Sequence, residues 1–231
     1  MTDEDLWEQA VELKDRLFEV TTSISVPKGD YWPTLVTVCL DTGNRRLRSI
    51  GLLLEPEHDD YDGAVILMRS LFELEVTLSY INQDVPGRLK SYLRHGKVAL
   101  APEEVKQIDA KLESGGLAPR DLVPNRPWKN TKEMCTALGR NDEYDTLYRL
   151  TSVHTHAGAF TLGEKAVRLF TSQDTSARDK ATVLLTAISS HLEIAGIAGD
   201  TFPSAIDIGT IGSLGNRCNE LGWSLAKALK S

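Results

Sequence analysis

Apolar residues recur at intervals of three and four along most of the chain, a pattern that predicts one amphipathic helix after another. From Asp3 to about Ser25, Leu6, Ala10, Leu13, Leu17 and Val20 form one stripe, with Thr2 placed to cap the first turn and acids at Asp3, Glu4 and Asp5. Pro27-Lys28-Gly29-Asp30 ends that helix. A second is predicted from Pro33 to about Glu55, with Asp41-Thr42-Gly43-Asn44 as a candidate interruption. Its opening, Leu35-Val36-Thr37-Val38, would also suit a strand, but no partner strand appears elsewhere, which favours helix. After an acidic turn from Pro56 to Asp60, Tyr61 to Gln83 is the most hydrophobic segment. It is apolar nearly all round, as befits a helix at the centre of a bundle.

Pro86 opens a basic helix reaching Leu100, and Pro102 to Leu112 reads as an acidic one. Gly115, Gly116, Pro119, Pro124 and Pro127 mark the clearest loop, from Ser114 to Lys129. A short helix is expected over Thr131–Leu138 and a longer one from Asp142 to about Leu162. Ser176 to Phe202 is amphipathic again, and a last helix runs from beyond Pro203 to near Lys230. Near its start, Gly209, Gly212 and Gly215 are spaced as if to let a neighbouring helix approach closely. The expected fold is an all-α, multi-helix bundle forming a single domain over residues 1–231.

Composition agrees with a packed globule: 41% hydrophobic and 26% charged residues in a chain of 231. That length supports a core without metal or disulfides. Cys39, Cys135 and Cys218 are odd in number and widely spaced, so they read as buried or incidental thiols of a reducing compartment. The acidic start, Met1-Thr2-Asp3-Glu4-Asp5, lacks the features of a signal peptide, and no stretch approaches the ~20 apolar residues of a membrane span. A cytoplasmic protein is expected. The net charge of −7 argues against a general grip on nucleic acid, so any such contact must be local. Two basic clusters, Arg45, Arg46 and Arg48, and Arg88, Lys90, Arg94 and Lys97, read first as solvated helix faces.

Several chemistries are unsupported. The Gly209–Gly215 run has neither a preceding strand nor the lysine of a phosphate loop, and Gly-x-Ser-x-Gly is absent. Glu55-Pro56-Glu57-His58 lies beside a proline turn and has no second Glu-x-x-His to complete a di-iron site. His154 and His156, two apart on a helix, diverge by about 200° and cannot chelate one zinc together. No metal or cofactor is expected.

The segment from Tyr144 to His156 is the richest in chemistry. At about 100° per residue, Asp145, Arg149, Ser152 and His156 share one stripe, while His154 turns toward Leu147 and Leu150. A guanidinium and an imidazole together suit a phosphate: arginine binds it as a fork, and histidine exchanges protons near neutrality. An ordinary solvated face, with Asp145 pairing Arg149, fits the same spacing. The second unusual feature is Arg69 with Glu73 in the most apolar helix, one turn apart, with Tyr80 continuing their stripe. Charges there are costly unless paired. They read as an intrahelical ion pair, or as a stripe that faces the Arg149 stripe so that Glu73 orients an imidazole or arginine.

Arg69-Ser-Leu-Phe-Glu73, followed by Tyr144, Tyr148, Ser152 and His156, resembles a family of uncharacterised bacterial helical proteins with an Arg-x-x-x-Glu helix and a later Tyr…Ser-x-x-x-His helix. The likeness covers about Tyr61 to Thr161, within a motif-bearing core of residues 61–162. Arg149 with His154 or His156 also resembles the Arg-x(4–6)-His motif of the HEPN superfamily of helical bundles, although Leu150 replaces the polar residue usual after the arginine. The resemblance implies a HEPN-like core with additional flanking helices. It implies a metal-independent ribonuclease of toxin–antitoxin or phage-defence type, dimeric, with Arg149 on the phosphate and His156 (or His154) as acid or base. Arg69, Glu73, Tyr144, Tyr148 and Ser152 would support the site. The implied partners are RNA, a second copy of the chain, and an antitoxin or defence protein. Some members are non-catalytic, so a nucleotide-, RNA- or protein-binding module is the alternative expectation.

Overall fold

The computed structural model describes residues 1–22, 24, 31–97, 103, 106, 110, 128–155 and 175–228. Among the described residues there are eight helices and no strand: α1 (Asp3–Thr21), α2 (Tyr31–Leu53), α3 (Tyr61–Asn82), α4 (Val85–Lys97), α5 (Thr131–Leu138), α6 (Asn141–Thr155), α7 (Ala177–Thr201) and α8 (Ile208–Ala228). The protein is an all-α multi-helix bundle. The predicted acidic helix and most of the loop after it lie largely outside the described residues.

Local chemistry sets most helix starts. Thr2 and Asp5 form a reciprocal capping box at α1, and Asn130 and Glu133 form another at α5. Asp60 caps α3 and Ser176 caps α7. Asp41–Asn44 does not interrupt α2, which is helical throughout; Gly43 and Asn44 are buried in its middle. Backbone hydrogen bonds there run uninterrupted because neither residue is needed for a turn, and both face a neighbouring helix.

Two helices share the centre. α7 packs on α1, α2, α3 and α8, and α3 packs on α2, α4, α5, α6 and α7. α7 is long and apolar enough to cross a membrane, contrary to the expectation that no segment is, but most of that stretch is buried inside the bundle. The main core lies among α1, α2, α3, α7 and α8, with Leu17, Leu40, Leu71, Leu184 and Ile188 fully enclosed. A second, smaller core lies on another side of α3, where Phe72, Val76 and Tyr80 meet Met134 and Cys135 of α5. The all-round hydrophobicity of α3 thus reflects two cores on one helix.

The glycines near the start of α8 do not serve a close approach. A Cβ at Gly212 or Gly215 would meet nothing within 4 Å. Close approaches lie at Gly199, where an added Cβ would lie 2.9 Å from Ile208 Cγ1 of α8, and at Gly43, where it would lie 2.5 Å from His191 Nδ1. Cys39, Cys135 and Cys218 are buried free thiols, and burial pushes them up to about 12, 11 and 11 respectively.

Candidate functional site

α3 and α6 pack together, and Arg69 of one motif meets Tyr148 of the other in that contact. Arg69 Nε donates to Glu73 Oε1 at 3.2 Å, the ion pair expected one turn apart. The Arg69 guanidinium carbon also lies 3.7 Å from the Tyr148 ring centre. Tyr148 stacks on Tyr144, with ring centres 4.6 Å apart and planes inclined by 20°. Arg69, Tyr148 and Tyr144 therefore form a continuous stack from α3 onto α6. Asp145, at the start of the predicted stripe, is exposed.

Burial, chiefly, with some help from Tyr148, holds the Tyr144 phenol above its usual range, so it acts as a neutral hydrogen-bonding group rather than a base. Arg149, Ser152 and His154 belong to α6, but their side chains lie outside the described structure, and His156 lies outside the described residues. The stripe built on them is placed by the helix alone.

A deeper ion network lies behind this junction, and the sequence reading missed it. Glu75 is fully buried, and its Oε1 accepts from Arg140 Nη1 at 2.6 Å and from Ser79 Oγ at 2.8 Å. Arg140 also donates to Glu143 through Nε at 2.9 Å and Nη2 at 2.6 Å. The turn between α5 and α6 aims it: Gly139 takes a left-handed φ of 74°, and Arg140 N returns to Cys135 O at 2.8 Å. Burial raises the Glu75 carboxyl despite Arg140 and Ser79. Burial opposes the Arg140 charge, but Glu143 and Glu75 outweigh it and hold the guanidinium firmly protonated. Glu75 Oε2 is buried without a hydrogen-bond partner among the described residues. The signal was a third acid in the most apolar helix, two residues from Glu73 and so about 200° around from it.

Arg140 and Glu143 edge a cleft of about 710 Å³ that also meets Phe72, Leu147, Glu193 and Trp223. Elsewhere, Arg45 pairs with Asp41 on an exposed turn, and Arg46 donates to Ser70 O at 2.7 Å, which ties α2 to α3. That basic cluster is partly structural. Among the described residues, no group of three or more His, Cys, Asp or Glu side chains is arranged to hold a metal ion.

One polar cluster is wholly internal. His191 Nε2 lies 2.8 Å from Asn44 Oδ1, Thr21 Oγ1 lies 2.7 Å from the same oxygen, and Asn44 Nδ2 donates to Thr21 O at 3.3 Å. That arrangement makes Nε2 the protonated nitrogen of a neutral ring, and Nδ1 has no hydrogen-bond partner among the described residues. Complete burial lowers the imidazole to about 4.

No curated protein and no solved structure matches this chain. A family of unknown function, DUF5677, matches residues 35–174, more than half of the chain, and that stretch contains every residue of both motifs. The chain belongs to that family.

Proposed function

With membership of that family as the premise, we propose that the protein is a metal-independent, HEPN-like endoribonuclease, cytoplasmic and dimeric, that serves a bacterial stress, toxin–antitoxin or phage-defence system. The observation that carries this reading is the 3.7 Å contact of Arg69 with Tyr148, which joins the Arg-x-x-x-Glu helix to the Tyr…Ser-x-x-x-His helix. Arg149 follows Tyr148 directly in α6. In this reading Arg149 neutralises a non-bridging oxygen of the scissile phosphate. His156, or His154, removes the proton of the RNA 2′-hydroxyl, whose oxygen attacks phosphorus. The 5′-oxygen leaves and takes up a proton, and the products are a cyclic 2′,3′-phosphate and a free 5′-hydroxyl. Arg69, Glu73, Tyr144 and Tyr148 hold α6 in place, and Ser152 lies one turn beyond Tyr148.

A second reading, a non-catalytic module binding a nucleotide, RNA or protein partner such as an antitoxin, is favoured by one feature. The described cations at the α3–α6 junction are already engaged within the chain, Arg69 by Glu73 and Arg140 by Glu75 and Glu143. The two readings part in an RNA-cleavage assay in EDTA with wild type, Arg149→Ala, His154→Ala and His156→Ala. Cyclic-phosphate products from the wild type, abolished by Arg149→Ala and by one histidine variant, support the ribonuclease. No cleavage across several RNAs, or equal cleavage by all four proteins, supports the binding module.

A further inference from the structure

A second group of side chains lies farther along α3. Trp128, just ahead of α5, has its ring centre 5.3 Å from that of Tyr92, 5.7 Å from Tyr80 and 6.3 Å from His95. Tyr80 meets it edge-on, with planes at 77°, and its ring is buried beneath the cluster. His95 is different. It stacks on Trp128 with planes only 27° apart, and it is exposed on α4. The cluster is rooted in the small core and ends in an aromatic ring open to solvent.

Cations flank it. The Arg88 guanidinium carbon lies 3.9 Å from the Tyr80 ring centre, and Nη1 donates to Tyr80 O at 2.6 Å and Gln83 Oε1 at 2.9 Å. Lys129 Nζ lies 6.0 Å from the same ring centre. Arg88 is thus fixed by neutral acceptors and a ring face, and neither cation has a carboxylate partner among the described residues. The neighbouring acids are engaged as helix caps, Asp84 Oδ1 accepting from Gly87 N at 3.3 Å and Glu133 Oε2 from Asn130 N at 2.9 Å, which leaves both cations beside the aromatic stack.

We infer that the Trp128 cluster is a stacking platform for a single-stranded RNA, with a base laid against His95 and Trp128 and phosphates met by Arg88 and Lys129. Every base has a face that stacks on an aromatic ring, and flanking cations track the backbone without reading sequence. A duplex keeps its bases stacked on one another and offers no such face. The platform stands about 16 Å along α3 from the Arg69–Tyr148 junction, Tyr80 following Arg69 by eleven residues, with α5 packed on α3 between them through Met134 and Cys135. The choice of RNA over other single strands rests on the ribonuclease reading.

The test is fluorescence anisotropy with a labelled 2′-O-methyl RNA strand, which lacks the attacking hydroxyl and reports binding whether or not the protein cleaves. The wild type binds the strand and binds the same sequence as a duplex far more weakly. His95→Ala, an exposed position, weakens strand binding by roughly 5- to 100-fold, the range of a lost base–aromatic stack, and Lys129→Glu, at a half-buried position, weakens it as well by reversing a charge beside the backbone. Trp128→Phe keeps most of the affinity, and its urea midpoint checks that the small core persists. Equal binding by wild type, His95→Ala and Lys129→Glu overturns the platform, as does equal binding of strand and duplex or no binding at all. Cleavage of natural RNA alongside undiminished binding by the two variants overturns the platform and leaves the ribonuclease. Strand binding that needs His95 and Lys129, in a protein that cleaves no RNA, supports the platform and overturns the ribonuclease.

Discussion

The guanidinium of Arg69 lies over the ring of Tyr148, its central carbon 3.7 Å from the ring centre, and through that contact the first motif helix is clasped to the second. Glu73 holds the same guanidinium from its own helix at 3.2 Å. The arginine is thereby fixed between a carboxylate and a ring face, which sets the rotation of α6 relative to α3. Any chemistry carried by the following turn of α6 inherits that rotation.

A double-mutant cycle measures the clasp. Arg69→Met and Tyr148→Leu each destabilise the protein in urea unfolding, and their coupling energy is about 0.5–1 kcal/mol, the value of a cation over a ring at a partly exposed site. A coupling near zero would show that the two residues contribute independently and that the clasp does not hold the helices.

The Glu75–Arg140 pair carries a larger effect with a distinctive pH signature. Arg140→Ala leaves a buried carboxylate without its cation and costs about 3–5 kcal/mol at pH 7. Burial already raises the Glu75 carboxyl above 4.5, so the stability it contributes is fully present below that pH and is lost as pH rises through the folded value. Removing Arg140 widens that loss. The difference between Arg140→Ala and wild type therefore shrinks when both are unfolded at pH 4, where Glu75 takes a proton and needs no partner. A difference of equal size at the two pH values would contradict this account.

His191 works in the opposite sense. The unfolded imidazole takes up a proton near 6.5, and the folded one only near 4. Its contribution to stability is fully present above pH 6.5 and is lost as pH falls through about 4, a change of roughly 3 kcal/mol. His191→Leu removes this dependence, so its urea midpoint varies less between pH 6.5 and pH 4 than that of the wild type. Parallel curves for the two proteins would assign the acid sensitivity to other groups.

Gly43→Ala tests why α2 tolerates a glycine in its middle. An alanine methyl would meet His191 Nδ1 at 2.5 Å and Cε1 at 2.8 Å, deep in the core where neither helix can yield cheaply. The expected loss is about 2–3 kcal/mol, set by overpacking and well above the gain in helix propensity. In a His191→Ala background the same change becomes nearly neutral. A stabilising Gly43→Ala in the otherwise unaltered protein would mean that α2 and α7 do not approach as closely as they do here.

Much of the fold was legible because its signals are local. The cap at Thr2 and the stripes of α1 and α3 are read from residues within two turns of one another. Local signals misled where the reason was not local. Gly43 and Asn44 resemble a break in sequence, yet they are the surface on which His191 rests, 147 residues from Asn44. The α8 glycines resemble a packing stripe, yet Gly212 and Gly215 face open space. Of the candidate site, the Arg69–Glu73 pair was visible as an i, i+4 spacing in an apolar helix. Its aromatic neighbour Tyr148 was visible only as part of a motif.

The sequence by itself determined that this chain is a bundle of helices, where most of them start, and which helix is apolar on more than one side. Backbone hydrogen bonds span four residues, and caps and apolar periods are written on the same scale. Tertiary structure decided which buried charges meet. Glu75 and Arg140 are 65 residues apart, and nothing in the spacing of either points to the other. They are brought together because the left-handed turn at Gly139 sends the chain back across α3, where a buried carboxylate is stable only with a cation on it.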